Sequence, residues 1–246
     1  MFRLFAGKAF VFIFAIGLAL SLHTQARPVN PLAATTQSSD TQWLATIKKQ
    51  IAAKEYQASV NHRGLQTPNR AHNLRIYYNE QGIQVHDRTA SGEPLLMGMR
   101  LSEYGRQGQR SNIKPVKPSH KGKHIEYFYS PALTEWYVNN EKGLEHGFRL
   151  QHKPEGKGEL QLVINLEGAN TSNSNNAITL YTATGRQLKY AALKVIDARG
   201  KPVPASMRAK GKTIVLAIDD RQAHWPLLVD PILTASYDTL LEADQA

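Results

Sequence analysis

The sequence predicts an all-β fold of antiparallel β-sandwich-like layers with one N-terminal amphipathic helix, and three observations predict it. Residues 124–150, HIEYFYSPALTEWYVNNEKGLEHGFRL, alternate aromatic or apolar with polar positions and break at Ser130-Pro131 and at Asn139 to Gly143, as three short strands laid side by side would. ELQLVINL and TIVLAID alternate in the same way, placing Leu160, Leu162, Ile164 and Leu166 on one face and Ile214, Leu216 and Ile218 on another. Turn residues delimit about ten strands at intervals of roughly 8 to 12 residues, the spacing of a sandwich or barrel.

Taken in order, the chain opens with the three parts of a secretory leader over residues 1–26: Arg3 and Lys8, an apolar run from Ala9 to Leu22, and Thr24-Gln25-Ala26 before the cleavage point. The apolar run is shorter than the ~20 residues of a membrane-spanning helix. No second run of spanning length follows it, so no transmembrane anchor is expected after leader removal, and the product is expected outside the cytoplasm: extracellular, at the cell surface or periplasmic. Residues 27–39, with two prolines and no periodicity, are a disordered lead-in. Asp40 then caps a helix whose stripe, Trp43, Leu44, Ile47 and Ile51, is expected to pack on its own domain.

Strands LRIYY and IQVHDR flank a turn at Asn79 to Gly82, so residues 40–104 are a helix plus β-hairpin subdomain. His72 and His86 have no carboxylate at metal-ligand spacing and are expected to be satisfied histidines. Asn69, Arg70, Asn73 and Arg75 are either an anion clamp or, as we favour, side chains satisfying loop carbonyls and a carboxylate. Residues 105–123, rich in Lys, Arg, Gly and Pro and free of acids, are a basic flexible linker. Residues 124–233 are the sandwich domain, with Trp136, Tyr137 and Trp225 as its expected aromatic core and NTSNSNN as a surface loop. Residues 234–246 are a C-terminal tail.

The composition narrows the chemistry. With 246 residues and 41% hydrophobic content the chain can bury a core, and without cysteine it has no disulfide, thiolate metal site or cysteine nucleophile. A formal charge of +10 suits an acidic partner. Export argues against nucleic acid, and no aromatic residue interleaves with the basic stretch to form a stacking platform. Lys114, Lys117, Lys121 and Lys123 are the candidate polyanion contacts. No serine-hydrolase elbow, zincin helix, phosphate loop or calcium loop is present, so no catalytic residue, cofactor or metal ligand is assigned. Glu135, Asp219, Asp220 and His224 are the groups an enzyme of this sequence would use for acid–base work, with Asp230 nearby, and Asp219-Asp220 reads otherwise as a strand-ending turn.

Four segments in order, GLQTPNRAHNLRIYY (64–78), EWYVNNEKGLEHGF (135–148), TGRQLKYAALKVIDARGKPVPA (184–205) and HWPLLVDPILTASYDTLLEADQA (224–246), resemble the N-terminal region of exported bacterial FG-GAP repeat proteins. The resemblance implies a secreted or cell-surface protein with a β-rich domain leading into an integrin-α-like propeller. No FG-GAP repeat lies in this sequence, so calcium binding and integrin-like adhesion are carried over to no residue. The expected function is therefore an exported non-enzymatic structural or binding module whose partner is a cell-surface polysaccharide or another protein. An exported hydrolase or polysaccharide-active enzyme, and a polyanion-binding protein, are the alternatives.

Overall fold

The structure, a computed structural model, describes residues 42–235 except 49, 52 and 53. The expected leader and lead-in, Asp40, and the tail from residue 236 onward lie outside the described residues. Two compact units divide the chain between Ala45 and Thr46. Residues 42–48, 50, 51 and 54 are helical. Of the stripe expected to pack on its own domain, Trp43, Leu44 and Ile51 are exposed and Ile47 is half-buried. No described helix is long and apolar enough to cross a membrane.

The second unit is two antiparallel sheets. The chain lays down β1 (Ser59–Asn61), β2 (Gly64–Asn69), β3 (Leu74–Asn79), β4 (Gly82–Asp87), β5 (Leu95–Arg106) and β6 (Gln109–Asn112) in the first sheet. It crosses to the second for β7 (Ser119–Lys121), β8 (His124–Ser130), β9 (Leu133–Asn140) and β10 (Gly143–Leu150), then returns for β11 (Leu160–Glu167). The second sheet next takes β12 (Ala169–Ser174), β13 (Ala177–Thr182) and β14 (Gln187–Ile196). The first takes β15 (Ala205–Lys210) and β16 (Thr213–Ile218), and β17 (Leu227–Ala235) ends in the second. The nine-stranded sheet runs β1-β2-β3-β4-β5-β11-β16-β15, with β6 on β5, and the eight-stranded sheet runs β12-β13-β14-β17-β10-β9-β8-β7.

This topology replaces the expected division into a subdomain, a linker and a sandwich. β5 runs through the boundary at 104 and pairs with β11 along its length, so residues 59–106 share a sheet with residues beyond 159. The 105–123 stretch contributes β6 and β7, buries Arg106, and packs Ile113 and Val116 against the core. NTSNSNN is an edge strand rather than a loop: β12 pairs with β13, and its Thr171 and Asn173 side chains donate to the carbonyls of Gly211 and Ala209 (each 2.9 Å). A mostly exposed edge strand needs no apolar alternation, which is why composition hid it.

The regularly alternating strands bury the faces their periodicity assigns. Leu160, Leu162, Ile164, Leu166, Ile214, Leu216 and Ile218 all enter one hydrophobic cluster with Ile125, Tyr127, Phe148, Tyr190, Val229 and Leu233 of the other sheet. The faces of β9 are a correction to the expected core. Register sets Glu135 opposite Tyr127 and Phe148, so Glu135, Tyr137 and Asn139 point inward, while Trp136 lies on the other face opposite Gly147. Trp136 stacks near-parallel with His124 at 6.0 Å between ring centroids, and a Cβ built on Gly147 would fall 2.0 Å from Trp136 Cζ2. Gly147 is thus glycine because the indole occupies its side-chain space. Trp225, half-buried in the segment before β17, packs at the core's margin.

Gly147→Ala is expected to destabilise the fold by about 1–3 kcal/mol through overpacking. Trp136→Ala is expected to cost about 3–5 kcal/mol. Gly147→Ala made in the Trp136→Ala background should lose most of its effect, which a urea double-mutant cycle would read directly.

Candidate functional site

The densest polar cluster lies inside the sandwich. Glu135 on β9 accepts from Tyr129 OH at Oε2 (2.6 Å) and from Tyr137 OH at Oε1 (2.7 Å), and its Oε1 meets His146 Nε2 of β10 at 2.7 Å. The Nδ1 of His146 lies 2.9 Å from Tyr190 OH of β14, and its ring stacks on Tyr137 at 4.4 Å. Burial first, then the Glu135 charge, drives the Tyr129, Tyr137 and Tyr190 phenols well above their ordinary range, so they stay protonated as donors. A carboxylate, an imidazole and a phenol in series are catalytic residue types, but Glu135 and His146 are each 1% exposed. They satisfy one another across β9, β10 and β14, with β17 running between the last two, inside the core.

The other sequence candidates are held separately. Asp220 forms a bidentate pair with Arg106 (2.6 and 2.9 Å), both side chains buried, and the remaining Arg106 donors reach the carbonyls of Pro154 and Gly158. Asp219 points to solvent and chelates Arg221 through two contacts of 2.7 and 2.6 Å, which draws its carboxyl down to about 2. His224 is exposed, with Nδ1 3.4 Å from Asp197 Oδ2. Burial pushes Asp197 up, but the backbone N–H groups of Lys201, His224 and Arg199 outweigh it and hold the carboxyl at about 2. Asp230 is raised, first by its own burial and then by the Glu145 charge. Glu135, Asp219, Asp220 and His224 therefore take four different partners and do not form one site. Among the described residues no group of three or more His, Cys, Asp and Glu is arranged to hold a metal.

The Asn69 cluster takes the carbonyl-satisfying role. Asn69 donates to Asn139 Oδ1 and to the Asn140 carbonyl (both 2.8 Å), Asn139 donates to the Pro68 carbonyl (2.7 Å), and these bonds tie β2 to β9 across the two sheets. Arg75 pairs with Glu93 at 2.8 Å and Arg70 with Glu55 at 2.9 Å. His72 accepts the Ala235 N–H at Nδ1 (3.2 Å) and meets the Glu141 carbonyl at Nε2 (3.2 Å), so the neutral Nε2–H tautomer fits both partners. His86 is buried and bonded to the Glu93 carbonyl (2.7 Å).

Lys114, Lys117, Lys121 and Lys123 are all exposed, and none of their side chains enters an ion pair among the described residues. Lys117 borders a groove of about 560 Å³ between the sheets at their β1/β7 edge, floored by Leu65 and Tyr78 and closed by Val60, Pro118 and His120. Lys121 and Lys123 border a second depression beside Tyr56, Asn139 and Asn140. The sequence missed His146 as Glu135's partner, though it could have been found by folding the β9–β10 hairpin about Glu141-Lys142, which sets residue 146 opposite residue 137 and diagonal to 135.

No family model and no curated protein matches the chain. Among solved structures it is similar to a family GH92 alpha-mannosidase from Bacteroides thetaiotaomicron, at 12% identity and a TM-score of 0.39 over 68% of this chain. The same enzyme in complex with mannoimidazole gives the same identity and TM-score. This chain spans only 31% and 30% of those chains. A likeness this distant assigns no residue and no activity.

Burial lowers the pKa of His72 and of His86 below the ordinary 6.5, with the Glu141 and Glu93 carbonyls opposing it. The unfolded chain then binds more protons than the folded one as pH falls through 6.5. Their contribution to stability is full above that pH and declines below it. Melting temperature is expected to fall between pH 7 and 5, and His72→Gln, which can still donate and accept, should flatten that fall when scanned by calorimetry.

Proposed function

We propose that the chain is an exported, non-enzymatic β-rich structural or binding module. One observation carries the reading: each of the four groups singled out in the sequence for acid–base chemistry is committed to its own internal or local partner, Glu135 to His146 and two tyrosines, Asp220 to Arg106, Asp219 to Arg221, and His224 to Asp197. General acid–base catalysis needs two such groups converging on an accessible substrate. The leader-like N-terminus and the four segments resembling the leading domain of FG-GAP repeat proteins support placement at the cell surface or in the secreted fraction. The partner class is a cell-surface polysaccharide or another protein.

A second reading, a polyanion contact through Lys114, Lys117, Lys121 and Lys123, is favoured by their exposure on a short segment of a chain with net charge +10. The rival reading, an exported hydrolase or polysaccharide-active enzyme, calls for two of Glu135, Asp219, Asp220 and His224 to converge, and these four take separate partners.

The purified protein is expected to show no turnover of aryl glycosides, esters or oligosaccharides. Turnover abolished by Glu135→Gln or Asp220→Asn in a folded variant would overturn the non-enzymatic reading. On heparin resin the chain should elute later than a variant with the four lysines changed to Gln, and its retention should fall steeply with salt. Equal retention of the two removes the polyanion reading alone.

A further inference from the structure

Gly98, in the middle of β5, is the one described glycine that the fold itself does not require. Every other described glycine either has positive φ or, as at Gly147, would drive a Cβ into a neighbour. At Gly98 φ is ordinary, and the atoms nearest to a Cβ would be Glu167 Cβ at 3.4 Å, Glu167 Oε2 at 3.6 Å and the Ile83 carbonyl at 3.6 Å, ordinary contacts. A glycine inside a strand weakens it and marks a bulge, a bend or a place where a ligand or another backbone comes close; the β4–β5 register shifts nearby, between Val85 and His86, but Gly98 itself pairs in register with Gln84.

A polar groove of about 350 Å³ opens there, on the outer face of the nine-stranded sheet. Gln84 of β4 and Glu167 of β11 flank Gly98 in register, and the next row on the same face pairs Arg100 with Asn165. Asn79 and Gln81 close one end. Among the described residues, the side chains of Gln84, Arg100, Asn165 and Glu167 make no hydrogen bond or ion pair within the fold. Elsewhere on this sheet comparable groups are spent internally, as Arg75 and Tyr77 are on Glu93. The groove thus presents unspent donors and acceptors over a floor cleared of its side chain.

We propose that this groove binds a neutral saccharide. The guanidinium of Arg100 and the carboxylate of Glu167 cancel in charge, so the groove does not select an anion or a cation. The two carboxamides both donate and accept, and adjacent ring hydroxyls that also do both are the ligand chemistry matching such a mixture. The volume suits one or two sugar units, near the lower end of ~300–1,000 Å³ small-molecule sites. The inference rests on the non-enzymatic binding reading and gives it a site separate from the lysine segment.

The test titrates the full chain calorimetrically with cellohexaose, laminarihexaose, mannohexaose and xylohexaose, and with heparin as the acidic comparison. At least one neutral hexasaccharide should bind, and Glu167→Ala and Gly98→Ala should each weaken it about tenfold or more, with a melting temperature no lower than that of the wild type. Heparin affinity should stay the same in both variants. Should Gly98→Ala fail to fold, Gln84→Ala removes a groove side chain that the fold does not use and serves in its place. Binding of none of the four sugars, or equal binding by wild type and folded variants, overturns the proposal. Cleavage of the hexasaccharides would instead overturn the non-enzymatic reading, so the two failures are told apart.

Discussion

Insertion of β17 between β14 and β10 is the constraint on which the rest of the structure depends. The eight-stranded sheet cannot be completed until the chain has made its last crossing, because β17 pairs on one side with residues 144–150 and on the other with 188–196. β11 does the same in the other sheet, sitting between β5 and β16. Neither half of the sequence can close its own sheet. Long-range pairing of this kind is costly in loop-closure entropy and is rewarded only when the shared core forms. With no cysteine in the sequence, the apolar cluster drawn from both sheets, rather than any covalent cross-link, must supply that reward.

The buried polar groups follow from the same architecture. Arg106 and Asp220 are 114 residues apart in sequence and meet where β5 and the end of β16 converge on β11. Breaking such a pair leaves an uncompensated charge in the interior, so it discriminates strongly against alternative registers even where its net stabilisation is small. Glu135, His146 and Tyr190 do this for the other sheet, linking β9, β10 and β14 through side chains while β17 runs between the last two. Residue types that would suggest chemistry in a sequence are thereby absorbed as registry devices. Groups outside these networks on the outer surface include the four exposed lysines and the side chains of the groove over Gly98.

Much of the fold was legible because alternation is a local signal. The three strands expected in 124–150 are β8, β9 and β10, and the apolar faces of β11 and β16 are those that their periodicity assigned. What was not legible depends on pairing across distance. β9 carries bulky rings on both faces, so period alone could not tell that Tyr137 faces the core while Trp136 covers Gly147. β12 is polar because it is an edge, and a polar strand looks like a loop. The interleaving that removes the expected linker is invisible without knowing which strands pair. For the sites, the exposed lysines could be named from composition, while the Glu135–His146 contact needed the hairpin register. Gly98 could have been noticed as a glycine inside the run LLMGMRL, but its meaning required showing that neither φ nor a neighbour demands it.

Residues 59–235 should open as one cooperative sandwich rather than as separable halves. Native-state hydrogen exchange under increasing denaturant tests it most directly. The slowest amides of β3 and β4 and those of β10 and β17 should merge into a single global opening with one free energy and one denaturant slope. Exchange of the 59–106 amides through a distinct, lower-energy opening while β10 and β17 stay protected would contradict it.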